Sequence, residues 1–182
     1  KADQVYVIDG RALRKISPQR EVSSLYGVVG NWRFKEGSNT RLLFNDVTSI
    51  AVDRDNNLYI ADQLDTIHKV SPNRLVSVFL GSDDAPADTR TVYPRSLAIS
   101  SIDKVHLNER FSIRQYGLNG LPLGTFGTLS IDGNPGSFAI DSFALDVAGN
   151  FWIADPWYSS IRSINPSGVV TTRFGEKNIR GS

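Results

Sequence analysis

Leu58-Tyr59-Ile60-Ala61-Asp62, Ile67-His68-Lys69-Val70-Ser71-Pro72 and Val76-Ser77-Val78-Phe79-Leu80-Gly81 follow one another within 24 residues. Each is a run of four to six residues rich in Val, Ile, Leu, Tyr and Phe. The gaps between them are rich in Asp, Asn, Pro and Ser. Runs this short, bounded this way, read as β-strands joined by turns. The first ends in Asp, the second in Pro and the third in Gly.

The same order returns near the end of the chain. There it reads Phe151-Trp152-Ile153-Ala154-Asp155, Ile161 to Pro166 and Val169 to Gly175. It also stands near the start, as Val5 to Asp9, Leu13 to Pro18 and Val22 to Gly27. A degenerate copy lies between, as Val105 to Glu109, Ile113 to Gly117 and Leu123 to Gly127. The closing glycines Gly27, Gly81, Gly127 and Gly175 are 54, 46 and 48 residues apart. Three copies carry one more apolar run upstream: Ser49 to Asp53, Ser96 to Ser100 and Phe143 to Asp146. Each full unit therefore has four strands, a to d in chain order. Asp53 to Asn57 and Asp146 to Asn150 read as tight a–b turns, because Asp, Asn and Gly tolerate left-handed backbone angles. No stretch sustains a helical period with caps, so essentially no helix is predicted. Runs a and b are almost continuously apolar, which suits sheets covered on both faces. Four-stranded units of this length, each needing neighbours to cover it, fit the blades of a β-propeller.

Segments 44–72 and 143–166 resemble NHL repeats, which build propellers commonly of six blades. The Ala-Asp that ends strand b and the Ile-x-Lys/Ser-Val/Ile-x-Pro of strand c carry the likeness. So does the insert from Phe34-Lys35-Glu36-Gly37 to Phe44, which is similar to a segment of secreted bacterial members. The b–c stretches depart from the family's Asn-His-Arg-Ile turn, reading Leu64-Asp65-Thr66-Ile67 and Tyr158-Ser159-Ser160-Ile161. The expected fold is all-β, a β-propeller of four NHL-like four-stranded blades with the first incomplete, in a single unit over residues 1–182. The blades fall at about 1–27, 44–81, 93–127 and 138–175. The resemblance implies an extracellular, periplasmic or cell-surface location.

The first copy lacks strand a. The chain is then an open arc or part of a larger ring, a half-ring completed by a second chain, or a small four-bladed ring. With no Met and Lys at position 1, a processed chain or a fragment is expected.

Composition narrows the chemistry. Of 182 residues, 40% are hydrophobic and 21% charged, as in globular chains. Twenty Lys and Arg against 19 Asp and Glu leave a net charge of +1, which gives little drive toward nucleic acid. No apolar run approaches the length of a membrane helix. The absence of Cys removes disulfides, thiolate metal sites and Cys nucleophiles. No Gly-x-Ser-x-Gly elbow occurs. Gly133 to Ser137 has the glycines of a phosphate loop without its Lys, and reads as a turn.

Asp9, Asp62 and Asp155 recur at the end of strand b. Repetition in several blades points to architecture, each Asp being expected to accept backbone N–H groups of the b–c turn. His68 and His106 stand in different blades, short of the donor set of a typical catalytic zinc. Among metal candidates only His106 with Glu109 is worth naming, and no cofactor is expected. Trp152 reads as blade core. The aromatic groups in connections are more informative. Trp32-Arg33-Phe34 lies between the first two blades, and Pro156-Trp157-Tyr158 lies in the last b–c turn. In this topology both emerge on one rim, where flat aromatic surface with a polar edge suits a protein or a glycan. The expected function is a non-catalytic scaffold contacting such a partner through Trp32, Arg33, Trp157 and Tyr158. The alternatives are a metal-dependent lyase or hydrolase with its site in the central channel, and a purely structural subunit of an assembly.

Overall fold

The computed structural model describes residues 4–9, 12–26, 47–62, 65–81, 94–109, 112–126, 140, 142–156 and 159–175. Among them the only regular secondary structure is β-strand, in four antiparallel sheets. Sheet 1 holds β1 (Val5–Asp9), β2 (Ala12–Ile16) and β3 (Val22–Tyr26). Sheet 2 holds β4 (Val47–Val52), β5 (Leu58–Asp62), β6 (Thr66–Val70) and β7 (Val76–Leu80). Sheet 3 holds β8 (Pro94–Ile99), β9 (Lys104–Glu109), β10 (Ser112–Gly117) and β11 (Pro122–Phe126). Sheet 4 holds β12 (Ser142–Leu145), β13 (Phe151–Asp155), β14 (Ser160–Ile164) and β15 (Val170–Phe174). Neighbours in sequence are neighbours in the sheet throughout, and no sheet closes into a barrel.

The turns explain why the strands reverse where they do. In the c–d turns the N–H of Arg20, Arg74, Gly120 and Gly168 donates to the carbonyl three residues earlier, at 2.8, 2.8, 3.0 and 2.8 Å. Each donor has a positive φ, of 66°, 66°, 79° and 86°. Pro18, Pro72 and Pro166 stand just after the accepting residue, where a fixed φ prepares the turn. The a–b turns repeat the device with Asn56, Asp103 and Gly149 at φ 63°, 57° and 82°. Gly175, which closes the last repeat, has φ 85°, and a Cβ there would fall onto the Ser159 carbonyl. Only glycine fits that approach.

Alternation along the strands divides the apolar residues between two neighbours. Leu58, Ile60 and Val70 of sheet 2 pack with Tyr6, Ile8, Leu13 and Leu25 of sheet 1. Tyr59, Ala61, Ile67 and Leu80 pack with Leu97, Val105, Leu107 and Tyr116 of sheet 3. Ile113 of sheet 3 joins Phe143, Phe151, Ile153 and Ile164 of sheet 4, with Ile140. The core is thus three apolar layers between successive sheets, and β5 is buried along its whole length.

Hydroxyl latches join the layers along strand a. Ser49 Oγ accepts the Leu97 N–H at 3.0 Å, and Ser96 Oγ accepts the Phe143 N–H at 3.4 Å. The register shifts between Val47 and Ser49, and the extra residue Thr48 donates to the Pro94 carbonyl at 2.6 Å. A bulge turned into an inter-sheet contact is a common use of that irregularity.

Candidate functional site

Register places the four strand-b acids in one structural position. Residues two before them pair with Arg14, His68, Arg114 and Arg162 on strand c, as Val7, Ile60, Leu107 and Ile153. The strand-b acid position therefore lies diagonal to an arginine or histidine position on strand c in every sheet. Asp9 holds Arg14 at 2.7 Å with both groups partly exposed. Asp155 holds Arg162 at 3.2 Å with both buried. The backbone N–H groups expected to serve Asp9 and Asp155 in the b–c turns involve residues 10, 11, 157 and 158, which lie outside the described residues. The ion-pair partner of Asp9 and Asp155 is the arginine across the strand pair, which repeats because the register repeats. The signal was present in sequence as Arg14, Arg114 and Arg162 in the middle of three of the strands c, with His68 in the fourth. It becomes visible only once the strands are aligned by pairing.

The a–b turns hold a second repeated device. Asp53 Oδ1 accepts the N–H of Asp55 and of Asn57, and Oδ2 accepts Asn57 Nδ2 at 2.7 Å and the Tyr59 hydroxyl at 3.2 Å. Asp146 does the same with Ala148, Asn150 and the Trp152 indole, the last at 3.0 Å. Burial, then Asp53, pushes the Tyr59 phenol well above its ordinary value. The Asn150 side chain, then the Trp152 indole, holds the Asp146 carboxyl at about 2. Trp152 is therefore tied to a turn and half-buried rather than enclosed in a core.

His106 occupies the place of Tyr59 and Trp152, opposite Ala98 as they stand opposite Ala51 and Ala144. Sheet 3 has Ser100 where the others have the carboxylate, so the ring loses its acceptor. Both ring nitrogens are buried without a hydrogen-bond partner, and Phe151 of sheet 4 meets the ring edge-on at 5.0 Å. Burial, then Lys104, holds the imidazole down at about 4, so it is neutral at pH 7. Asn108, two residues on and on the same face, donates to the Ile140 carbonyl while its Oδ1 is unbonded. His106 is thus buried, yet not the satisfied histidine that its place in a strand suggests. The side chain of Glu109, the other member of the candidate metal pair, lies outside what the structure describes. Among the described residues no group of three His, Cys, Asp or Glu could hold a metal.

Trp32, Arg33, Trp157 and Tyr158 lie outside the described residues. The described residues on either side of positions 157 and 158 in sequence form a hollow of about 320 Å³ at the b–c end of sheet 4. It is walled by Ala154, Asp155, Pro156, Ser159, Ile161 and Phe174. No described helix is long and apolar enough to cross a membrane.

No protein-family model matches the chain, and no curated protein matches it. Solved structures do. One is a streptogramin B lyase, 13% identical, with a TM-score of 0.59 over 90% of this chain and 48% of that one. Another is a protein of unknown function from Bacteroides thetaiotaomicron, 14% identical, with a TM-score of 0.67 over 97% of this chain and 46% of that one. A third is the extracellular domain of a one component system from the same organism. It is 15% identical, with a TM-score of 0.57 over 96% of this chain and 21% of that one. At these identities the likeness shows the shared β-sheet fold. The chain spans about half or less of the length of each of the three.

Proposed function

We propose that the chain is a non-catalytic scaffold, a single propeller-type unit of NHL-like blades over residues 1–182, that works outside the cytoplasm. It presents its loop-bearing rim to a protein or glycan through Trp32, Arg33, Trp157 and Tyr158. The observation that carries this reading is the hollow at the b–c end of sheet 4. It is lined by Pro156, Ile161 and Phe174 and leads in sequence directly to Trp157 and Tyr158. Aromatic groups adjoining in sequence the residues of an apolar depression suit the flat face of a sugar, or a peptide side chain.

Tryptophan fluorescence tests the reading, with the chain titrated against a panel of oligosaccharides and short peptides. A saturable change that Trp157→Ala and Tyr158→Ala each weaken by about tenfold or more is expected, as for aromatic anchors. A chain that answers to no member of the panel, or that carries stoichiometric zinc and cleaves a substrate, overturns it in favour of the lyase or hydrolase.

A further inference from the structure

Another hollow, of about 510 Å³, lies between sheets 1 and 2, at the end where the a–b and c–d turns stand. Sheet 1 lines it with Tyr6, Lys15 and Leu25. Sheet 2 lines it with Leu58, Val70 and the turn residues Asn56, Pro72 and Arg74. Successive turns of an antiparallel sheet alternate between its two ends, so this hollow opens at the end opposite to the b–c turns. Its two walls are internal to the array, since sheets 1 and 2 pack on each other through Leu13, Leu58, Ile60 and Val70.

The next layer shows what closes such a space. Where strands c and d pair, a register shift leaves one extra residue on strand d, Leu25 in sheet 1 and Phe79 in sheet 2. Phe79 packs in the apolar layer between sheets 2 and 3, and its ring meets Tyr59 edge-on at 4.9 Å. The c–d turn of sheet 3 comes up against it. A Cβ on Gly120 would lie 3.2 Å from the Phe79 carbonyl, and Leu118 joins the same layer. The turn hydrogen bonds place Pro72 and Arg74 of sheet 2 where sheet 3 has Leu118 and Gly120. The layer between sheets 1 and 2 thus has Leu25 in place of a ring, and a long cationic side chain in place of a glycine. It stays open there.

The lining divides into two chemistries. Leu58 and Val70 are buried and apolar, and Leu25 and the Tyr6 ring continue that surface. Lys15 and Arg74 bring a cation from each wall, the amides of Gln4 and Asn56 add hydrogen-bonding groups, and none of the described lining residues is acidic. A lipid tail would leave the polar groups unpaired, and an inorganic anion would leave the apolar surface wet. A small molecule with one apolar face, several hydroxyls and a carboxylate answers both. We propose that this hollow binds a carboxylate-bearing sugar of one or two rings. Its carboxylate lies between Lys15 and Arg74, and its apolar face lies on Tyr6 and Leu25. The volume falls within the ~300–1,000 Å³ of small-ligand sites. This goes beyond the rim reading and does not rest on it. The two sites stand at opposite ends of the sheets and share no residue, so either can fail alone.

The test is isothermal titration calorimetry with glucuronate and galacturonate, as single sugars and as disaccharides, against glucose and galactose. The acidic sugars should bind about tenfold or more tighter than the neutral ones, since a charge-assisted hydrogen bond carries the difference. Lys15→Gln should weaken them on the order of tenfold, as should raising salt from ~20 to ~200 mM, at least in part. Leu25→Phe sets in sheet 1 the ring that closes the next layer, and should abolish binding. Circular dichroism establishes that each variant folds, and Pro72→Leu replaces Leu25→Phe if that variant does not. Acidic and neutral sugars that bind alike overturn the proposal. So does an absence of binding up to ~10 mM acidic sugar, and so does binding that survives both Lys15→Gln and the filled hollow.

Discussion

A buried imidazole with no partner on either nitrogen opposes its own fold whenever it takes a proton. His106 has a pKa of about 4 here, against about 6.5 in an unfolded chain. Between those values the unfolded chain binds the proton and the folded one does not. Stability is therefore complete above pH 6.5 and falls as pH drops toward 4, with a limiting slope of about 1.4 kcal/mol per pH unit. His106→Phe keeps an aromatic ring of similar size against Phe151 and leaves no orphaned nitrogen. Urea denaturation at pH 7 should show it more stable by about 1 kcal/mol or more, with a flatter profile between pH 6.5 and 4. An unchanged profile would mean that the ring is solvated. The oddity of His106 was legible in sequence, since it breaks a repeat. Its surroundings were not, because Phe151 comes from another repeat and the missing acceptor is a Ser100 that looks like an ordinary turn residue.

Turns are the element in which sequence and backbone agree most closely, and also where the chain carries avoidable strain. Gly120 and Gly168 fill the left-handed place of two c–d turns, while Arg20 and Arg74 fill it in the other two. A side chain in that region costs roughly 1–2 kcal/mol, partly recovered through the smaller freedom of the unfolded chain. Arg74→Gly should therefore raise the melting temperature by a few degrees, corresponding to about 0.5–1 kcal/mol. A lower melting temperature would show that Arg74 contributes more through its side-chain contacts than its backbone angle costs. Strand positions were legible for a related reason: Pro, Asn, Asp and Gly mark where a chain cannot continue extended. The diagonal ion pairs and the latches were not, because they depend on register. A one-residue slip would send Arg162 to the other face of its strand.

The molecule as a whole is an array in which each sheet is covered by its neighbours, so protection should follow position. β5 is buried throughout and lies between two sheets, whereas β1 alternates between exposed and partly buried residues. Amide exchange measured on dilute protein should be slowest in Leu58–Asp62 and fastest, among strands, in Val5–Asp9. Equal rates in the two would mean that sheet 1 is covered even in the isolated chain. Repeat spacing made the sheet-by-sheet order readable in advance. It could not tell which faces are covered, since Val5 and Val105 are the same residue type in the same pattern with opposite surroundings.

The latches between sheets have a consequence for descent. Ser49 and Ser96 engage the main-chain N–H of Leu97 and Phe143, and any residue but proline offers that group. The contact is blind to the side chain it meets. A gene that duplicates, deletes or transposes one unit therefore delivers a sheet whose neighbour can receive it without matching mutations. The apolar layers then need only volumes that fit. The number of sheets in such an array is then limited by the fit of the layers and not by the pairing of particular side chains across the latch.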